Sequence, residues 1–198
     1  VADVLDSGLV MHTLDLTAGA VLETGCVYLV PLMESLDLPP EISAAMNPKS
    51  STGRIDVFTR VIADHATAFD SAPAGYTGPL YVEISPRTFS ILAQPGDRLV
   101  QARFRRGLRQ ATREITVSVD LEGIDGRIGY RARRHSGLID LAKIGGHDPR
   151  DFWEEIDVRQ GRMILDPGEF YILASREPVI IPLDEAAEMA PIAPEIGE

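Results

Sequence analysis

The chain has 198 residues, a formal net charge of −11 and one cysteine. That length suits one or two ordinary domains with a substantial core, and no apolar run approaches membrane-spanning length, so the sequence reads as soluble and globular. The acidic balance excludes a general affinity for nucleic-acid backbone, and one cysteine excludes a disulfide scaffold; with no signal-peptide pattern, a reducing cytoplasm is the expected setting.

In chain order, alternating apolar and polar residues recur over 10–16, 27–32, 55–61, 80–84, 99–104 and 115–121. Turn signals separate them, among them Leu38-Pro39-Pro40, Ala74-Gly75-Tyr76, Gln94-Pro95-Gly96-Asp97 and Asp166-Pro167-Gly168. Short strands at this spacing suggest a barrel or jelly-roll-like β domain. Cys26 lies in an apolar strand pattern, with Val27-Tyr28-Leu29-Val30, and reads as a buried small hydrophobe. Arg103, Arg105 and Arg106, with Arg109, read as a solvated strand edge. One helix start is expected, with Asp148 as N-cap and Pro149 at the first helical position. Phe152 and Trp153 would pack that helix on a sheet. The four histidines show no metal-ligand spacing.

An internal repeat runs through the chain. Residues 22–48 align without gaps on 165–191, with identities that include Leu22/Leu165, Gly25/Gly168, Tyr28/Tyr171, Glu34/Glu177 and Pro39/Pro182. Turn and aromatic residues in phase indicate duplication of one β unit. The copies differ beyond Pro48, where Lys49-Ser50-Ser51-Thr52-Gly53-Arg54 corresponds to Ile192-Ala193-Pro194-Glu195-Ile196-Gly197. The expected organisation is a first β unit over 1–108, a connecting segment over 109–160 and the start of a degenerate second copy over 161–198. Val1 in place of Met, and a strand–turn pattern that breaks off near Glu198, suggest a piece of a longer protein.

Two segments carry the chemistry. Lys49 to Arg54 packs hydroxyls, a glycine and two cations into six positions, which is what a turn needs to grip a polyphosphate. The same residues also suit an ordinary β-turn. Gly75-Tyr76-Thr77-Gly78-Pro79-Leu80-Tyr81-Val82-Glu83-Ile84 places one carboxylate in an otherwise apolar strand. Glu83 there is costly without a role or a partner; the plainer reading pairs it with Arg54 or Arg87.

With Val61-Ile62-Ala63 between these segments and Pro95-Gly96-Asp97-Arg98-Leu99-Val100-Gln101 after them, the chain resembles the dCTP deaminase branch of the dUTPase-like superfamily, especially its long, internally duplicated bacterial form. The resemblance implies a mainly β, distorted jelly-roll or barrel fold with few short helices. It also implies hydrolytic deamination of dCTP to dUTP and ammonia by a homotrimer with interfacial active sites. Carried over by position, Glu83 would be general base and proton shuttle, and Ser50 and Arg54 would help position the water. The Ala63 carbonyl would accept from the cytosine amino group. Lys49, Ser51, Thr52 and Gly53 would contact phosphate, Asp70 and Tyr76 the deoxyribose, and Tyr81, Val82 and Gln101 would complete the pocket. No metal ligand is implied; Mg²⁺ would arrive on the triphosphate.

The chemistry agrees with this assignment. Zinc deaminases draw their metal ligands from an H-x-E … P-C-x-x-C pattern, which this sequence lacks. A metal-free route needs a carboxylate in a dry pocket to activate water. Asp70 keeps open a dUTPase-type pyrophosphatase or a bifunctional enzyme yielding dUMP, and a non-catalytic nucleotide-binding module is a third reading. Tyr130 to Gly137, rich in arginine, is the candidate lid over the triphosphate.

Overall fold

Twelve strands and two four-residue helices lie among the described residues of this computed structural model, namely 1, 4–5, 7–107, 113–158, 160–187 and 189. The elements are β1 (Ala20–Leu22), β2 (Tyr28–Asp37), β3 (Ile42–Pro48), α1 (Ser50–Gly53), β4 (Val57–Ala63), β5 (Ser71–Ala72) and β6 (Thr77–Pro86). There follow β7 (Ile91–Ala93), β8 (Val100–Arg106), β9 (Arg127–Ala132), β10 (Ile139–Asp140), α2 (Pro149–Phe152), β11 (Trp153–Asp157) and β12 (Tyr171–Leu173). They form four three-stranded sheets, ordered β2-β6-β4, β5-β3-β8, β1-β7-β10 and β11-β9-β12. Every pairing is antiparallel except β10 with β7. The expected mainly β chain with few short helices is what forms.

The sheet β2-β6-β4 is the spine of the first half. Along β6, Leu80, Val82 and Ile84 point to the core, while Tyr81 and Glu83 take the opposite face. On β4, Val57, Thr59, Val61 and Ala63 are buried, and Phe58 and Arg60 face outward. The two strands feed two apolar clusters: Val57, Val82 and Ile84 join Phe89 and Ile91, while Val61, Ala63 and Leu80 join Ala44 and Met46. Burying both clusters fixes the register, because a one-residue slip would turn Glu83 inward and Val82 out.

The expected helix start holds. The Asp148 carboxylate accepts the Arg150 N–H at 3.0 Å, and bonding to Arg150 holds its pKa down at about 2. Phe152 and Trp153 both meet the buried ring of Phe89, at 5.8 and 5.4 Å between centroids, and so anchor the helix as expected.

Several expectations fail for identifiable reasons. Residues 10–16 form no ladder, and in 115–121 Val119 alone bridges to Ser175. Alternation makes a strand only where an edge is available to pair with it, and Met11 remains 87% exposed. Cys26 is exposed rather than buried. Gly25 turns the chain at φ +79°, so Cys26 falls in the turn ahead of β2. Arg103, Arg105 and Arg106 lie within β8, which pairs with β3 alone and is a true sheet edge; Arg106 reaches Glu41 at 3.0 Å. Arg109 lies outside the described residues.

The repeat has a local structural counterpart. The Tyr28 hydroxyl accepts the Glu23 N–H at 2.8 Å, and the Tyr171 hydroxyl accepts the Asp166 N–H at 3.0 Å. The intervening Gly25 and Gly168 adopt φ +79° and +76°. The two segments thus close the same turn with the same residues. Residues 192–197, which align with the Lys49–Arg54 turn, lie outside the described residues.

Candidate functional site

The turn at the end of β3 is built by backbone and core contacts rather than by its polar side chains. Lys49 caps the helix α1, and its N–H donates to the Leu99 carbonyl at 3.0 Å. Thr52 is 2% exposed, and its hydroxyl donates to the same carbonyl at 2.8 Å. That bond ties the turn to the entry of β8, where Gln101 pairs with Asn47. Ser50, Ser51, Gly53 and Arg54 are left exposed, with no side-chain hydrogen bond among the described residues. The exposed polar groups of this turn and Gln101 therefore form one cluster.

A second cluster lies along the outer face of β6 and at the far end of β4. Ala63 ends β4 opposite Leu80, and its carbonyl accepts the Ala66 N–H at 3.1 Å. The Tyr76 hydroxyl donates to the Pro79 carbonyl at 2.6 Å and accepts the Asp64 N–H at 2.9 Å. Tyr76 thereby locks the loop after β4 to the start of β6. Tyr81 and Glu83 are half-buried on the outer face, and the Glu83 side chain makes no hydrogen bond or ion pair with another described residue. Val82 is 1% exposed and points to the core, away from Tyr81 and Glu83, with a strand paired on either side.

Asp70 has a defined job in this cluster. It adopts φ +56°, and its carboxylate accepts the Val61 N–H at 2.7 Å. Asp70 N–H donates to the Val61 carbonyl at 2.8 Å, and its own carbonyl accepts the Met46 N–H at 2.8 Å. Burial pushes the carboxyl above the usual aspartate range, against the pull of the Val61 N–H and the Arg60 charge. Folded protein therefore takes up this proton at a higher pH than unfolded chain does. Stability is expected to rise as pH falls through the raised pKa and to level off at the ordinary aspartate value. Asp70→Asn keeps the acceptor for Val61 and removes the titration. Urea midpoints of this variant should lose that part of the pH dependence; an unchanged slope would mean that Asp70 does not titrate in this window.

The turn and Ala63 lie at opposite ends of β4. The turn leads into the start of β4 and Ala63 closes its end, a path of about 20 Å for a strand of this length. Glu83 pairs with Arg60, midway along β4. A cavity of about 540 Å³ opens beside the turn, lined by Pro48, Gly53, Asp56, Val57, Phe58, Arg60 and Arg87. Burial raises the pKa of Asp56 there despite a bond from the Thr88 hydroxyl at 2.6 Å. Glu83 does not border this cavity. Its plainer pairing with Arg54 or Arg87 does not form either.

Tyr130 to Gly137 is not a free basic lid. Its first half is β9, a strand inside a sheet. Arg131 pairs with Glu154 at 2.7 Å, Arg133 with Glu154 at 3.4 Å and Arg134 with Glu169. The carboxylates of β11 and of the turn before β12 already occupy its cations.

Arg60 faces Glu83 across the ladder, a placement that residue spacing does not reveal. Its guanidinium carbon lies 4.8 Å from the ring centres of both Phe58 and Phe69. The i, i+2 spacing of Phe58 and Arg60 on β4 is visible in the sequence. Phe69 arrives from the loop before β5, and no periodicity announces it.

The mainly β fold, with a polar turn at one end of the spine sheet and an outward carboxylate on its central strand, is of the dUTPase-like class. A family model described as the 2′-deoxycytidine 5′-triphosphate deaminase N-terminal domain matches residues 1–108, and the C-terminal domain model of that family matches residues 92–198. The crystal structure of 2′-deoxycytidine 5′-triphosphate deaminase from Agrobacterium tumefaciens superposes with a TM-score of 0.92 at 51% identity. That match covers 98% of this chain and 66% of the Agrobacterium chain. No curated protein sequence matches. The chain belongs to the 2′-deoxycytidine 5′-triphosphate deaminase family.

Proposed function

We propose that this protein deaminates dCTP to dUTP and ammonia, with Glu83 as the base that activates water. One observation carries the reading: Glu83 stands without a side-chain partner among the described residues on a half-buried outer face, one strand from the Ala63 carbonyl. Glu83 takes a proton from a water as its oxygen bonds to C4 of the cytosine ring. Passing that proton and a second one to the ring and the amino nitrogen breaks the C4–N bond and releases ammonia, with uracil formed. The Ala63 carbonyl, which keeps a second lone pair beside its bond to Ala66, accepts from the amino group and orients it. Tyr76, pinned by both of its hydroxyl bonds, offers a fixed ring edge to the deoxyribose, where a 2′-hydroxyl would crowd it.

Ser50, Ser51, Gly53 and Arg54 act on the phosphates and the attacking water, with Lys49 as a flanking cation. Mg²⁺ comes with the triphosphate as part of the substrate. Because the turn and the Ala63 carbonyl lie at opposite ends of β4, the reading places the turn of one copy beside Glu83 and Ala63 of another, in a homotrimer with sites between subunits. The proposed setting is the cytoplasm; among the described residues, no helix is long and apolar enough to cross a membrane.

Chromatography of the products from Mg²⁺-dCTP, with CTP alongside, tests the activity. dUTP with stoichiometric ammonia is expected, and CTP should react far more slowly. dUMP with pyrophosphate would move the assignment to the hydrolytic branch, and binding without any product would leave a nucleotide-binding module.

A further inference from the structure

Arg60 and Glu83 are direct cross-strand partners on one face of the spine sheet, where Cβ atoms stand about 5 Å apart. Opposite charges in that position ordinarily pair, yet no ion pair joins these two. The guanidinium instead rests against the rings of Phe58 and Phe69, each 4.8 Å from its carbon, and borders the cavity beside the phosphate-type turn. Phe58 and Phe69 are 43% and 49% exposed, so neither is explained by the core. Their ring faces are electron-rich and attract a cation whose hydration is weak, as that of arginine is.

We propose that Phe58 and Phe69 form an aromatic clamp that holds Arg60 off Glu83 and keeps the carboxylate from being neutralised by an ion pair. The proposal rests on reading Glu83 as the base and gives Phe58, Phe69 and Arg60 positioning roles. The other groups around Glu83 do not substitute for the clamp. From β2 the facing residues are Leu29 and Pro31, neither of which titrates. Tyr81 shares the face on β6 itself and brings no cation. Asp70, on the loop that carries Phe69, feels the Arg60 charge and is capped by Val61. Arg60 is therefore the one cation facing Glu83 from the strands and loop packed around it. Released, it would favour the ionised carboxylate and weaken it as a base.

The test is the double variant Phe58→Leu/Phe69→Leu, which keeps apolar bulk and removes the ring faces. The acid limb of kcat/KM for dCTP, which reports the free enzyme, is expected to move down by about one pH unit. Titration of the Glu83 carboxyl carbon by NMR should move the same way, and adding Arg60→Gln should reverse both shifts. An unmoved titration, or a shift that persists after Arg60→Gln, overturns the clamp. Should the double variant fail to fold, Phe69→Leu alone is read by the same titration. The NMR arm needs no turnover, so a wild-type protein that releases no ammonia would defeat the deaminase reading and leave the clamp decided separately.

Discussion

Glu83→Gln is expected to lower dCTP turnover by about 10²- to 10⁴-fold, the contribution of a positioned base, while nucleotide affinity changes little. Glutamine keeps the size and the hydrogen-bond reach of the side chain but cannot take a proton from water. Glu83 has no ion-pair partner among the described residues, so removing its charge leaves no cation stranded, and the fold should be untouched. Ammonia release measured with isothermal binding of dCTP separates the two effects. Turnover within a few-fold of wild type would remove Glu83 from the chemistry. The same variant tests the shared site. Arg54→Ala should also be inactive, because it strips the turn of its planar cation. Mixed and reassembled with Glu83→Gln, it should regain part of the activity, because some interfaces then join an intact turn to an intact carboxylate. No recovery on mixing would place both groups in one chain's site and overturn the shared one.

Gly78→Ala is expected to cost about 2 kcal/mol in stability and to reduce kcat/KM for dCTP by more than about tenfold. A Cβ at residue 78 would stand 2.8 Å from the Tyr76 hydroxyl and 3.1 Å from the ring carbon that bears it. The hydroxyl cannot simply move away, because it bonds both the Pro79 carbonyl and the Asp64 N–H. Relieving the clash frees the loop after Ala63, whose carbonyl orients the cytosine amino group in the proposed reaction. Urea unfolding measures the first effect and steady-state kinetics the second. Tyr76→Phe should reproduce the loss of both bonds without the clash, with a smaller effect on stability. If Gly78→Ala behaves as wild type, the turn tolerates a shifted ring and Tyr76 is not a positioning element.

The glycines of this turn show how far pattern reading reaches. Gly75 and Gly78 are recognisable as turn residues from sequence, but the reason for the second is tertiary: a tyrosine ring folded back over its Cα. Glu83 stands out in an apolar run because strand alternation is a local property, and its face follows from Val82 and Ile84 on either side. Thr52 looks like one more hydroxyl of the phosphate-type turn, yet it is buried and bonded to Leu99, a residue far along the chain. Asp70 looks like a sugar contact, and the fold uses one of its oxygens to cap Val61. In both cases a long-range backbone partner, invisible to spacing, decides where a polar group points. The same holds for the arginines of β9, whose carboxylate partners come from β11 and from the turn before β12.

Local chemistry by itself determined the β class, the turn residues, the repeated Gly–Tyr turn and the two segments that carry the candidate site residues, because alternation, left-handed glycine and residue type act over a few neighbours. Tertiary structure alone decided that the turn and the Ala63 carbonyl lie at opposite ends of β4, that Cys26 faces solvent and that Arg60 rests on Phe58 and Phe69 instead of pairing with Glu83. Those outcomes depend on which strand edges meet and which loop crosses a sheet face, and burial of the whole core sets them.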